Sequence, residues 1–127
     1  NSLPPVIAAA ARRALKLVRD SDALRQTLRG NAAFFRSQLT ALGFTLVPGE
    51  HPIIPVLLGD ATLASKMADE LLREGVYVVG FSDPVVPKGQ ARIRVQMSAA
   101  HTHDQLERAV AAFAKVGRAL DVIKWKC

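Results

Sequence analysis

The chain has 127 residues, 50% of them hydrophobic and 22% charged, with a net charge of +6 and a pI near 10.1. That length and balance suit one globular domain able to bury roughly two-thirds of the surface its unfolded chain exposes. They give no ground for a membrane-spanning helix, because the longest apolar run, residues 6–11, falls far short of the ~20 residues a span needs. The N-terminal residues show no signal-peptide pattern. Cys127, the single cysteine, rules out an internal disulfide framework and fits a reducing compartment, and with the three histidines it offers no metal-ligand spacing. A basic pI invites a nucleic-acid partner, since Lys and Arg neutralise phosphates. The positives are spread instead along solvated faces: Arg12, Arg13, Lys16 and Arg19, then Arg25, Arg29 and Arg36, then Lys124 and Lys126. With 6% aromatics and no interleaved aromatic platform, no nucleic-acid role is expected.

Pro4 and Pro5 stand where a first helical turn tolerates proline, and Val6, Ile7, Ala10, Ala14, Leu15, Leu17 and Val18 give a helical apolar face to about Arg19. Ser21 and Asp22 offer an N-cap for a second helix, carrying Leu24, Leu28, Phe35, Leu39 and Leu42, that Gly43 stops. The period then changes to two. Phe44 to Val47 reads as a short strand, residues 48–52 as a turn and residues 53–58 as a second strand, in which Pro55 argues for an edge because it cannot donate to a ladder. Asp60 caps a third helix with Leu63, Met67, Leu71 and Leu72, ended by Gly75. Residues 76–81, nearly all apolar, read as a buried strand. A loop, Pro84-Val85-Val86-Pro87-Lys88-Gly89-Gln90, leads into a strand through Met97, and Thr102 with Gln105 forms a capping box for a last helix carrying Leu106, Val110, Phe113 and Val116 to about Leu120. This order predicts one domain, residues 1–127, a two-layer α/β sandwich with helices on a small mixed or antiparallel sheet. Residues 124–127 read as a tail without chemistry.

The strand after the loop carries the clearest chemical signal. Ala91, Ile93, Val95 and Met97 alternate with Arg92, Arg94, Gln96 and Ser98, so two guanidinium groups share one face about 7 Å apart while the other face is a core stripe. Arginines held on a rigid strand suit a carboxylate or a phosphate. Edge protection is the rival, since edge strands commonly carry charge against aggregation. Lys88 in the loop and His101 after the strand are further candidates for the same anion, although His101 equally suits closing the start of the last helix. His51 and His103 read as surface histidines, and Cys127 has no flanking group to activate it. No nucleophile or general base stands beside an orienting group, so the chain holds a binding element without a complete catalytic set.

The segment 84–101, Pro-Val-Val-Pro-Lys-Gly-Gln-Ala-Arg-Ile-Arg-Val-Gln-Met-Ser-Ala-Ala-His, resembles the C-terminal domain of the pyridoxal-phosphate-dependent α-oxoamine synthases. Leu3-Pro4-Pro5, Gly43-Phe44-Thr45, residues 51–56, Leu58-Gly59-Asp60, Met67-Ala68, Glu70-Leu71 with Gly75, and Gly80-Phe81 extend the likeness over nearly the whole chain. The resemblance implies the small domain of a fold-type I homodimer that condenses an amino acid with an acyl-CoA, most nearly glycine with acetyl-CoA. It implies a cytoplasmic location in a bacterium or a mitochondrial matrix location in a eukaryote. Sister members making 8-amino-7-oxononanoate or 5-aminolevulinate, and a small basic ligand- or RNA-binding module, are the alternatives. Arg94 matches the family arginine that holds the substrate carboxylate, with Arg92 as support and His101 and Lys88 as weaker candidates. The residues that hold pyridoxal phosphate belong, by the same resemblance, to sequence upstream, and none of the six lysines here matches its anchoring lysine. Asp83 departs from the pattern, which leads one to expect an aromatic residue before Pro84.

Overall fold

The computed structural model describes residues 2–124, so most of the expected tail lies outside the described residues. In chain order the elements are α1 (Pro5–Asp20), α2 (Asp22–Leu42), β1 (Ile53–Gly59), α3 (Ala61–Arg73), β2 (Val79–Phe81), β3 (Ala91–Gln96) and α4 (His103–Ala119). The three strands make an antiparallel sheet in the order β1-β3-β2. The strand with the two arginines is therefore central, which overturns the edge-protection reading: both of its backbone edges are already paired.

Register sorts the sheet into two faces. Ile54 stands opposite Val95, while Val56 and Gly80 both stand opposite Ile93. Ile54, Val56 and Ile93 are fully buried with Phe35, Leu39, Met67, Leu71 and Phe113, which α2, α3 and α4 bring to that face. On the other face lie Ile53 with Gln96, Pro55 and Val79 with Arg94, and Leu57 and Phe81 with Arg92. Every one of these is exposed or half-buried. Helices thus cover one side of the sheet, and the arginine side is open, the two-layer arrangement that the order of elements predicts.

Local signals explain the element ends. The Asp60 carboxylate accepts from the Leu63 N–H at 2.7 Å. The Thr102 hydroxyl accepts from the Gln105 N–H at 3.3 Å while the Gln105 side chain accepts from the Thr102 N–H at 3.0 Å, completing the capping box. Gly43 ends α2 with φ of 99°, a left-handed conformation that glycine adopts without a Cβ penalty. β1 is an edge strand, as Pro55 requires.

Five expectations are corrected. Phe44 to Val47 is not a strand: Val47 donates to Pro55 and Thr45 accepts from Leu57, but only the Leu46–Val56 bridge forms, since a partner edge carrying proline cannot extend the ladder. Residues 76–81 are not a buried strand. Only Val79 to Phe81 pairs, and Tyr77 is 79% exposed, because an apolar run at the edge of a three-stranded sheet has a neighbour on one side alone. Ser21 occupies the N-cap position of α2 without a side-chain bond; Asp22 instead accepts from Arg25 and Gln26. Arg36 is not a solvated charge, since its guanidinium donates to the carbonyls of Val47, His51 and Ile53 at 2.9, 3.1 and 3.2 Å. That latch ties the turn before β1 to α2. Finally, the apolar face of α1 meets no core: none of its residues is buried.

Candidate carboxylate site

Arg94 projects from the middle of the central strand, between Pro55 on one side and Val79 on the other. Ile93 and Val95, its sequence neighbours, are 0% and 6% exposed, so the backbone under the guanidinium is locked by the core while the side chain stands in solvent. The Arg94 Cζ lies over the Phe81 ring, 4.5 Å from its centroid, a cation–π distance. No hydrogen bond or ion pair engages its guanidinium among the described residues. Arg92 shares the face but turns back, its Nε donating to the Gln90 carbonyl at 3.2 Å. The result is one tethered cation beside one held cation whose donors are unspent, in a setting of half-buried apolar residues, Ile53, Pro55 and Leu57. Five N–H donors in a planar fork match a carboxylate in two parallel bonds.

The other two candidates lie elsewhere. Lys88 is exposed and lines a cleft of about 530 Å³ with Gly59, Asp60, Ser82 and Asp83. The peptide bond Asp83–Pro84 in that loop is cis. His101 lines a different cleft of about 520 Å³ with Phe35, Tyr77, Val95, Gln105 and Arg108. Its Nδ1 accepts from the Ser98 N–H at 3.2 Å, which engages one ring nitrogen in closing the turn before α4. Neither cleft is lined by Arg92 or Arg94. The structure therefore sets the two arginines on one face of the sheet, while Lys88 and His101 each line a cleft that neither arginine lines.

Three residues that matter to the site have no signal in the pattern. Phe81 reads as one more apolar residue until the β2–β3 register sets it opposite Arg92 and diagonal to Arg94. Asn31 donates to the carbonyls of Ser98 and His101 at 2.9 and 3.0 Å, fixing the exit of β3 across 67 and 70 residues of chain. Arg36 does the same for the approach to β1. The five lysines within the described residues are all exposed. Among the described residues no group of three or more His, Cys, Asp or Glu could hold a metal. No helix there is long and apolar enough to cross a membrane.

A small antiparallel sheet backed by helices on one face has counterparts among known proteins. The family model for aminotransferase class I and II matches residues 1–113, and the chain belongs to that family. Among curated relatives it is 57% identical, over 123 residues, to the 2-amino-3-ketobutyrate coenzyme A ligase of Escherichia coli K12, covering 97% of this chain and 31% of that protein. It is 52% identical to the mitochondrial human protein of the same name, covering 93% of this chain and 28% of that one. Among solved structures, a variant of serine palmitoyltransferase from S. paucimobilis with a bound PLP–myriocin aldimine superposes with a TM-score of 0.90 at 32% identity, over 96% of this chain and 31% of that one. The chain thus spans about a third of the length of the proteins it matches.

Proposed function

We propose that this chain is the C-terminal domain, residues 1–127, of an enzyme that condenses glycine with acetyl-CoA to give 2-amino-3-ketobutyrate and CoA, or runs the cleavage in reverse. Its contribution is Arg94, which holds the carboxylate of the amino-acid substrate. The single observation that carries this role is the Arg94 guanidinium, exposed on a rigid central strand with no hydrogen bond or ion pair among the described residues. Identity of 57% to a protein named for this product supports the choice of substrates. Gripping the carboxylate at two oxygens limits rotation of the amino acid and so sets which bond at Cα faces the reacting centre. Pyridoxal phosphate, held by residues outside this chain, is the implied cofactor and supplies the electron sink. The full-length enzyme is a homodimer in this reading, with no nucleic-acid partner. A bacterial cytoplasm or a mitochondrial matrix is the location in this reading, with relatives named from Escherichia coli and as mitochondrial.

The test is Arg94→Ala in the full-length enzyme. Losing a hydrogen-bonded charge pair costs about 1.5–3 kcal/mol, a rise of about one to two orders of magnitude in KM for glycine. An unchanged KM for glycine sinks the carboxylate role. Rates with acyl-CoA of increasing chain length then separate this activity from the longer-chain condensations of sister enzymes.

A further inference from the structure

We propose that Phe81 is a positioning residue for Arg94, a ring platform that fixes the guanidinium so that its in-plane donors face the substrate carboxylate. This rests on the carboxylate role of Arg94 and adds to it a residue outside the arginine strand. In the β2–β3 pair Val79 stands opposite Arg94 and Phe81 opposite Arg92. Phe81 is therefore the diagonal neighbour of Arg94, a spacing that aromatic and long side chains bridge. The guanidinium carbon sits over the ring at 4.5 Å. The contact is to a ring and not to an acceptor oxygen, so it holds the group without a conventional hydrogen bond, and no side-chain hydrogen bond or ion pair is found at the guanidinium among the described residues. A carboxylate partner of this protein's own would hold it too, but would occupy the donors that the substrate needs.

Arg92 makes the contrast within one strand. It faces Phe81 in register, yet its Nε is turned to the Gln90 carbonyl at 3.2 Å, and it is Arg94 that the ring carries. The platform itself is seated: a Cβ on Gly80, next to Phe81, would approach the Ala64 carbonyl oxygen at 3.4 Å, so β2 lies close against α3.

The experiment uses the full-length enzyme with Phe81→Leu, Phe81→Tyr, Arg94→Ala and the Phe81→Leu/Arg94→Ala pair, following glycine binding by calorimetry together with KM and kcat for both substrates. An exposed cation–π contact predicts a two- to fivefold rise, about, in Kd and KM for glycine in Phe81→Leu. Phe81→Tyr, which keeps the ring, binds glycine as the unaltered enzyme does, and KM for acetyl-CoA stays put in both. In the Arg94→Ala background Phe81→Leu adds no further loss, because nothing is left to position. The proposal is overturned if Phe81→Leu leaves glycine binding unchanged, if the tyrosine variant is as impaired as the leucine variant, or if the loss persists without Arg94. Normal glycine binding in Arg94→Ala alone would instead remove the carboxylate role on which the proposal stands, whereas an impaired Arg94→Ala with a silent Phe81→Leu removes the platform only.

Discussion

α1 and α4 are two helices of nearly equal length, 16 and 17 residues, each with an apolar stripe and a charged face. α4 buries Leu106, Ala112, Phe113, Ala114, Val116 and Gly117, whereas α1 buries nothing and leaves Val6 71% and Leu15 70% exposed. Their ends differ as well: α4 starts on a closed capping box, while α1 starts at Pro4 with no side-chain cap. The charged side of α1 is quieted locally, with Lys16 and then Arg19 bonding Asp20 at 2.8 and 2.9 Å and so holding its carboxyl below the ordinary range. Amphipathicity therefore reports that a helix has a face to cover, and says nothing of whether the cover lies among the residues at hand. Because most helix stability in proteins comes from packing that face, the two helices contribute very differently to the fold of these 127 residues.

Substitutions on the two helices can break that contrast. Phe113 is fully buried and meets Phe35 and Phe44 edge-on, with centroids at 5.7 and 5.8 Å. Phe113→Ala is expected to cost about 3–5 kcal/mol in urea unfolding of the 127-residue chain; a loss below about 1 kcal/mol would mean that α4 is not the centre of the core. Gly117 comes next. A Cβ there would lie 2.5 Å from Phe44 Cζ and 3.2 Å from Ile123 Cγ1, so the overlap, about 1–3 kcal/mol, outweighs the gain of about 1 kcal/mol in helix propensity. Gly117→Ala should lower the unfolding midpoint, and a raised midpoint would show that Phe44 moves aside freely. Thr102→Ala opens the capping box and should cost about 1 kcal/mol, read in the same melts.

The smallest effect belongs to α1. Ile7→Asn with Val18→Asn should shift stability by no more than about 0.5 kcal/mol, as at any exposed position free of special contacts. The same pair in a full-length relative sharpens the comparison: a cost of several kcal/mol there, measured by thermal melting, would locate the partner of the stripe outside these residues.

What could be read in advance was what neighbours in sequence decide. The Asp60 cap, the Thr102–Gln105 box, the glycine stops at 43 and 75 and the alternation of β3 all depend on residues within a few positions of one another, and each forms. What could not be read depends on who sits alongside. Val76 to Phe81 has the composition of a buried strand but lies at a sheet margin. Arg36 and Asn31 look like surface polar residues until distant carbonyls arrive to accept from them. In the candidate site, the shared face of Arg92 and Arg94 follows from a period of two, whereas the ring that distinguishes the two arginines comes from another strand and needs the register.

The two faces of β3 differ only by parity. Residues 91, 93 and 95 are buried, while 92, 94 and 96 are exposed or half-buried. A slip of one residue in the pairing of β3 would exchange those sets, driving two guanidinium groups into the apolar core and turning Ile93 and Val95 outward. The pairing of Ile54 with Val95 and of Val56 and Gly80 with Ile93 therefore works as a reading frame. A change of length within residues 82–90 leaves the two faces as they are so long as that register stands.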